Sequence, residues 1–158
     1  MMRVGIGFDA HKFTPNRPLV LGGVHIPFPL GLKGYSDADV VIHAIIDAIL
    51  GAISEGDIGL HFPDTDESYR DISSLTLLSE VKKILTEREY KVVNLDVVVA
   101  LEEPKIAPFR DEMKGKIAHT LDMERDQVNV KATTTEGLGF TGRREGIAAY
   151  AVALVEEI

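Results

Sequence analysis

The sequence contains no cysteine, and that one absence removes disulfide frameworks, Cys-ligated zinc, iron–sulfur clusters and thiol nucleophiles together. Any transition-metal site must therefore be built from His, Asp and Glu. Cations are also few, with 17 Lys and Arg against 25 Asp and Glu and a net charge of −8. So acidic a chain is no general binder of nucleic-acid backbone. It can hold a phosphorylated small molecule only where metal ions or helix amides supply positive potential locally. Long apolar runs are missing too. The apolar part of the opening MMRVGIGFDAH is too short for a signal peptide, and the most apolar stretch, residues 40–53, is interrupted by His43 and Asp47. Both features predict no membrane segment and a cytoplasmic address. What is present, 158 residues at 45% hydrophobic and 27% charged, predicts one folded domain spanning residues 1–158.

Periodicity predicts strands interleaved with helices. Residues 3–8 read as a strand ending at Asp9 and His11, and residues 18–28 as a hairpin turning at Gly22 and Gly23. Ser36, with Asp39 three residues on, fits the N-cap of a largely buried helix over 37–53. Residues 56–71 carry two glycines, a proline and several acidic side chains with neither period, so they read as a loop long enough to act as a lid. An amphipathic helix over 73–89, a strand over 92–101 and a helix through Phe109, Met113, Ile117 and Leu121 follow. Residues 127–136 read as a strand running into a threonine-rich loop, and the closing GIAAYAVALV reads as a strand because the segment before it lacks a helix cap. The expected class is an α/β or α+β sandwich.

Three residues stand out as metal ligands. Asp9 and His11, two apart on a strand, leave the same face about 7 Å apart at their Cα atoms, within reach of one ion. His43 lies in an apolar helix, where a hydrogen-bonded core histidine is the competing reading. A two-His, one-Asp set with a fourth position open to substrate suits catalytic zinc. Asp37 and Asp39 complement the helix dipole and Asp47 reads as an outward-facing carboxylate, unless Asp39 orients a ligating histidine. Ser36 sets a hydroxyl and helix amides where an anion can dock. Gly137, Gly139 and Gly142 have dinucleotide-fingerprint spacing but no clear following helix and no opening βαβ unit, so that reading fails. Thr133, Thr134 and Thr135 beside Glu136 fit hydroxyls facing phosphate with a carboxylate for Mg²⁺, or else an ordinary β-rich threonine run. His25, His61 and His119 have no identifiable partners.

The segments FDAHKF (8–13), GYSDADVVIHAIIDAILGA (34–52), GDIGLHFPDTD (56–66), EEPKIAP (102–108) and KATTTEGLGFTGR (131–143) together resemble the 2-C-methyl-D-erythritol 2,4-cyclodiphosphate synthase family, in order and over nearly the whole chain. The resemblance implies an enzyme of the non-mevalonate isoprenoid pathway. Its fold would be α+β, a mixed β-sheet with helices packed on one face, assembled as a homotrimer with active sites between adjacent subunits. Asp9, His11 and His43 match a zinc-binding triad, with Ala10 also at the substrate, and Glu136 matches the carboxylate at a second ion, Mg or Mn, on the diphosphate. Ser36 matches a phosphate contact. Asp57, Ile58 and Gly59 match contacts to methylerythritol, and Phe62, Pro63, Asp64, Thr65 and Asp66 match the mobile loop over it. Leu101, Glu102, Glu103, Pro104, Lys105, Ile106 and Ala107, with Thr133, Thr134, Thr135 and Glu136, match the cytidine and phosphate pocket. Phe140 and Arg143 match further substrate positions. Many relatives carry His where this chain has Tyr35, whose hydroxyl can still donate to phosphate, which implies retained activity with altered pH dependence.

On that resemblance the partner is a small cytidine diphosphate-linked molecule, with neither nucleic acid nor membrane involved. Its own 2-phosphate would attack the β-phosphorus, which suits a chain lacking a thiol or a recognisable nucleophile. Thr134 would stabilise the developing charge, beside Ser36 and Tyr35. Two other readings of the same residues stay open: a metal-dependent phosphoester hydrolase, and a non-catalytic trimer with structural metal.

Overall fold

A computed structural model describes all of residues 1–158. The first strand, β1 (Met2–Thr14), is longer than its apolar run predicts and carries Asp9 and His11 inside it rather than at its end. The polar DAHKFT segment stays extended because it continues the ladder to the last strand, β7 (Gly146–Glu157), with Asp9 opposite Ala149 and His11 opposite Ile147. Between them in sequence come the hairpin strands β2 (Leu19–Leu21) and β3 (Val24–Ile26), turning at Gly22 and Gly23 as expected, and the short β4 (Gly31–Leu32). Strand β5 (Tyr90–Ala100) pairs antiparallel with β7 and parallel with β6 (Val128–Thr133). The sheet is therefore mixed, in the order β4-β1-β7-β5-β6. The closing segment is a strand, as expected.

The central helix, α1 (Val40–Ala52), is almost wholly buried and lies directly on β1. Gly5 and Gly7 make that approach possible: a Cβ at Gly7 would stand 1.8 Å from the Ala44 carbonyl oxygen, and one at Gly5 1.9 Å from that of Ala48. Just beyond the glycines the same strand face presents Asp9 and His11, one helical turn from the start of α1, where His43 sits. Helix α3 (Ser74–Glu87) packs on α1 and β5, and α4 (Arg110–Leu121) on β6 and α3, so the helices cover one face of the sheet.

Three expectations are corrected here. The N-cap of α1 is Asp39, not Ser36, and the helix begins at Val40 because Ala38 turns left-handed (φ 58°). Asp39 orients no histidine. Its carboxylate accepts the amides of Val41 and Ile42 and those of Gly22 and Gly23, at 2.7–3.1 Å, clamping the hairpin turn onto the helix start. Asp47 does not face outward; half-buried, it accepts the Ile58 amide at 2.8 Å and anchors the short α2 (Ile58–His61). The 56–71 segment thus contains α2 and a 3₁₀ turn at Glu67–Tyr69, and the glycine-rich run forms a four-residue helix, α5 (Gly139–Gly142). No helix is long and apolar enough to cross a membrane.

Candidate functional site

Asp9, His11 and His43 meet over the N-terminal end of α1, each offering one ligand atom within 4.8 Å of the others. Asp9 Oδ2 lies 2.9 Å from His11 Nε2 and 3.0 Å from His43 Nδ1. The far nitrogen of each ring assigns the tautomer. His11 Nδ1 is 2.8 Å from the Lys33 carbonyl, which can only accept, so that nitrogen carries the proton. His43 Nε2 lies 2.9 Å from Ser74 Oγ and 3.1 Å from Ser36 Oγ. Ser74 gives its own proton to Asp37, so it accepts from His43. In the neutral rings, then, His11 Nε2 and His43 Nδ1 present lone pairs toward a carboxylate oxygen. Three electron-rich atoms face one another, and His11 Nε2 is buried with no hydrogen-bond partner.

A divalent cation fits such a set, because only a cation satisfies three converging donors, and partners on the far ring nitrogens are what metal-ligating histidines have. The alternative cation is a proton. Burial pushes the Asp9 carboxyl up, but hydrogen bonds and charge contact with His11 and His43 outweigh it and hold it at about 2. Burial lowers the His11 imidazole, and the Asp9 carboxylate overrides that to raise it.

The triad opens into a cavity of about 400 Å³. Of the predicted site residues, Asp9, His11, Tyr35, Ser36, His43, Ile58, Gly59, Phe62, Pro63 and Asp64 line it, together with Tyr69 and Leu77, which sequence reasoning did not single out. Tyr69 stands edge-on to Phe62 at 5.5 Å within the 56–71 segment. The Tyr35 hydroxyl donates to the Asp66 carbonyl at 3.1 Å, and the Tyr35 carbonyl accepts the Asp71 amide at 2.9 Å. Both contacts tie this residue to that segment. Asp57 is drawn into capping α2, and Asp66 into holding Ser68.

A second cavity, about 280 Å³, gathers Leu101, Glu102, Pro104, Lys105, Ile106, Ala107, Thr133 and Thr134, with Arg110 and Ala132 added. Glu102 Oε1 accepts the amides of Thr135 and Gly137 and so shapes the threonine turn. The Thr135 hydroxyl is engaged with the Leu138 carbonyl and Thr141. Ala10, Thr65, Glu103, Glu136, Phe140 and Arg143 line neither cavity. Arg143 pairs with Glu145 at 2.9 Å, and Glu136 is exposed on the turn. Register sets the distance between the two cavities: Asp9 is level with Ala149, Ala149 with Val99, and Val99 with Ala132. Three strand spacings separate the triad from the threonine strand, about 14 Å.

Residues 2–156 match the model of the YgbB family. Among curated proteins, 2-C-methyl-D-erythritol 2,4-cyclodiphosphate synthase of Caldicellulosiruptor bescii is 60% identical, over 99% of this chain and 100% of that one. Among solved structures, the bifunctional IspDF of Campylobacter jejuni is 44% identical with a TM-score of 0.96, and the chain spans 43% of its length. An IspF CDP complex of Plasmodium falciparum is 31% identical with a TM-score of 0.87, over 99% of this chain and 96% of that one.

Proposed function

The chain belongs to the YgbB family, whose curated relatives are 2-C-methyl-D-erythritol 2,4-cyclodiphosphate synthases, and we propose from that membership how its own residues carry the reaction. The enzyme converts 4-diphosphocytidyl-2-C-methyl-D-erythritol 2-phosphate to the 2,4-cyclodiphosphate. An oxygen of the substrate's 2-phosphate bonds to the β-phosphorus, the bond from that phosphorus to the bridging oxygen breaks, and CMP leaves. Nucleophile and electrophile belong to one molecule, so the protein must fold the substrate and neutralise charge rather than supply a nucleophile.

Asp9, His11 and His43 would hold zinc, and exposed Glu136 would contribute a carboxylate to a magnesium or manganese ion; these ions would supply Lewis-acid polarisation and positive charge for the phosphates. Ser36, beside His43 and the start of α1, binds phosphate. Asp57, Ile58 and Gly59 hold the methylerythritol hydroxyls, with the Ala10 backbone between the Asp9 and His11 ligands beside them and Phe62 to Asp66 closing over them to exclude water. Tyr35 holds that cover down through Asp66. The cytidine occupies the cavity of Leu101 to Ala107, and Thr133 to Glu136 face its phosphates, with Thr134 donating to the charge that develops. Phe140 and Arg143 extend the site from the neighbouring turn.

One catalytic domain spans residues 1–158, and it works as a homotrimer in the cytoplasm. Support for the trimer comes from the sheet face that no helix covers, where Val4, Ile6, Phe8, Tyr150 and Val152 are exposed. So contiguous an apolar surface marks a subunit interface. The separation of about 14 Å between the two cavities across the sheet supports active sites assembled from neighbouring copies.

The convergence of three bare ligand atoms on an open cavity carries this reading. Phosphorus NMR of the purified protein with the cytidylyl substrate tests it. The cyclic diphosphate and CMP should accumulate together; a linear phosphorylated product would assign the same triad to hydrolysis instead.

A further inference from the structure

Asp37 does more than lend charge to a helix start. Its half-buried carboxylate accepts three hydrogen bonds at once: Oδ2 takes the Ser74 amide at 3.0 Å, and Oδ1 takes the Asp39 amide at 3.2 Å together with the Ser74 hydroxyl. Ser74 is fully buried and stands first in α3, whose own N-cap, Ser73, makes no capping bond with its side chain. The backbone around the pair is pinned as well, since the Asp37 amide donates to the Ile72 carbonyl at 3.1 Å. With its proton committed to Asp37, the Ser74 hydroxyl turns lone pairs toward His43 Nε2, 2.9 Å away.

That direction decides which nitrogen of His43 is free for a metal. A neutral imidazole has one N–H and one lone pair. Left to Asp9 alone, His43 would put its proton on Nδ1, 3.0 Å from the Asp9 carboxylate, and so cover the atom that a cation needs. Nε2 would then be an acceptor set against the Ser74 lone pairs in a buried site, which is costly. Ser36 Oγ, at 3.1 Å, can share an Nε2 proton. We infer that Asp37, acting through the Ser74 hydroxyl, is the positioning residue that keeps the His43 proton on Nε2 and its Nδ1 lone pair turned to the triad. The inference rests on the zinc reading of Asp9, His11 and His43 proposed above. An asparagine at position 37 could not do the same, because either orientation sets its NH2 against the backbone amide of Ser74 or of Asp39. The orientation that keeps the shorter bond, from the Ser74 amide, turns that NH2 to the Ser74 hydroxyl and sends the hydroxyl proton to His43.

Long-range nitrogen–proton NMR correlation of the metal-free protein, at a pH where the ring is neutral, reads the His43 tautomer directly, and calorimetric titration with zinc reads its consequence. Both are run on wild type, Asp37→Asn and Ser74→Ala. Wild type should show the Nε2–H tautomer. Asp37→Asn should move the population toward Nδ1–H and weaken zinc binding roughly ten- to a hundredfold. Ser74→Ala leaves the Asp37 bonds to both backbone amides in place, so it should stay folded by melting temperature and show the same two changes. An Nδ1–H tautomer in the wild-type protein would overturn the assignment. So would weakened zinc binding with the tautomer unchanged, which would leave Asp37 as a cap of α3 alone, and so would an unchanged tautomer and unchanged zinc affinity in both variants. A wild-type protein with no zinc affinity retires the proposed zinc site alone, because the tautomer of the metal-free ring tests the role of Asp37 by itself.

Discussion

Asp9 touches both histidines through a single oxygen, so its protonation governs the pair. In the metal-free protein its carboxyl is held at about 2 against an ordinary 3.8, so its contribution to stability is present above 3.8 and lost as pH falls toward 2. His11 is raised above 6.5 by the same contact, so its share is present below 6.5 and lost as pH rises through the elevated value. The melting-temperature difference between metal-free wild type and Asp9→Asn should therefore be largest between pH 3.8 and 6.5 and shrink on either side; a difference independent of pH would contradict the ion pair. The ligands were legible because Asp-x-His needs only strand geometry, and a histidine in an apolar helix is conspicuous. Their partners were not legible. Lys33, Ser74 and Asp37 reach the far nitrogens and each other through tertiary folding, with no sequence period to announce them. Tyr35 was noticed, but its contact with the Asp66 carbonyl, 31 residues away, was not foreseeable from sequence.

At the scale of elements, the site depends on how closely α1 lies on β1. Gly7→Ala would drive a methyl into the Ala44 carbonyl at 1.8 Å, and backbone cannot yield as a flexible side chain can. Chemical denaturation should show a loss of about 3 kcal/mol or more, and titration of the surviving folded fraction should show weakened zinc binding, because the shift carries His43 away from Asp9. Wild-type stability and zinc affinity in this variant would mean that the helix has slack. The sequence foretold α1, the hairpin and the alternation of strands with helices, since burial there follows period. It misplaced the start of α1 because Ser36 and Asp39 both suit an N-cap, and only the left-handed Ala38 decides between them. It shortened β1 because the polar residues 9–14 carry no hydrophobic alternation, and the pairing of Lys12 with Gly146 that keeps them extended is 134 positions away in sequence.

On the proposed function, the whole molecule is two half-sites on one sheet. The triad and its cavity lie at β1 and α1, the second cavity, proposed to take the nucleotide, lies at β5, β6 and α4, and the sheet face that no helix covers is left apolar. Two halves about 14 Å apart are a poor active site within one chain, and a good one if a triad from one copy faces a nucleotide cavity from the next. Mixing two inactive variants tests this most directly. Asp9→Ala destroys the metal half, and the double substitution Thr134→Ala with Glu136→Ala disables the nucleotide half; the two proteins are unfolded together in equal amounts, refolded, and assayed for cyclic diphosphate by phosphorus NMR. If each site draws its halves from different copies, about a quarter of the sites in a closed ring are intact and about a quarter of the wild-type rate returns. If both halves of a site come from one chain, every site in the mixture is defective, and a mixture no more active than its separate components would contradict the account.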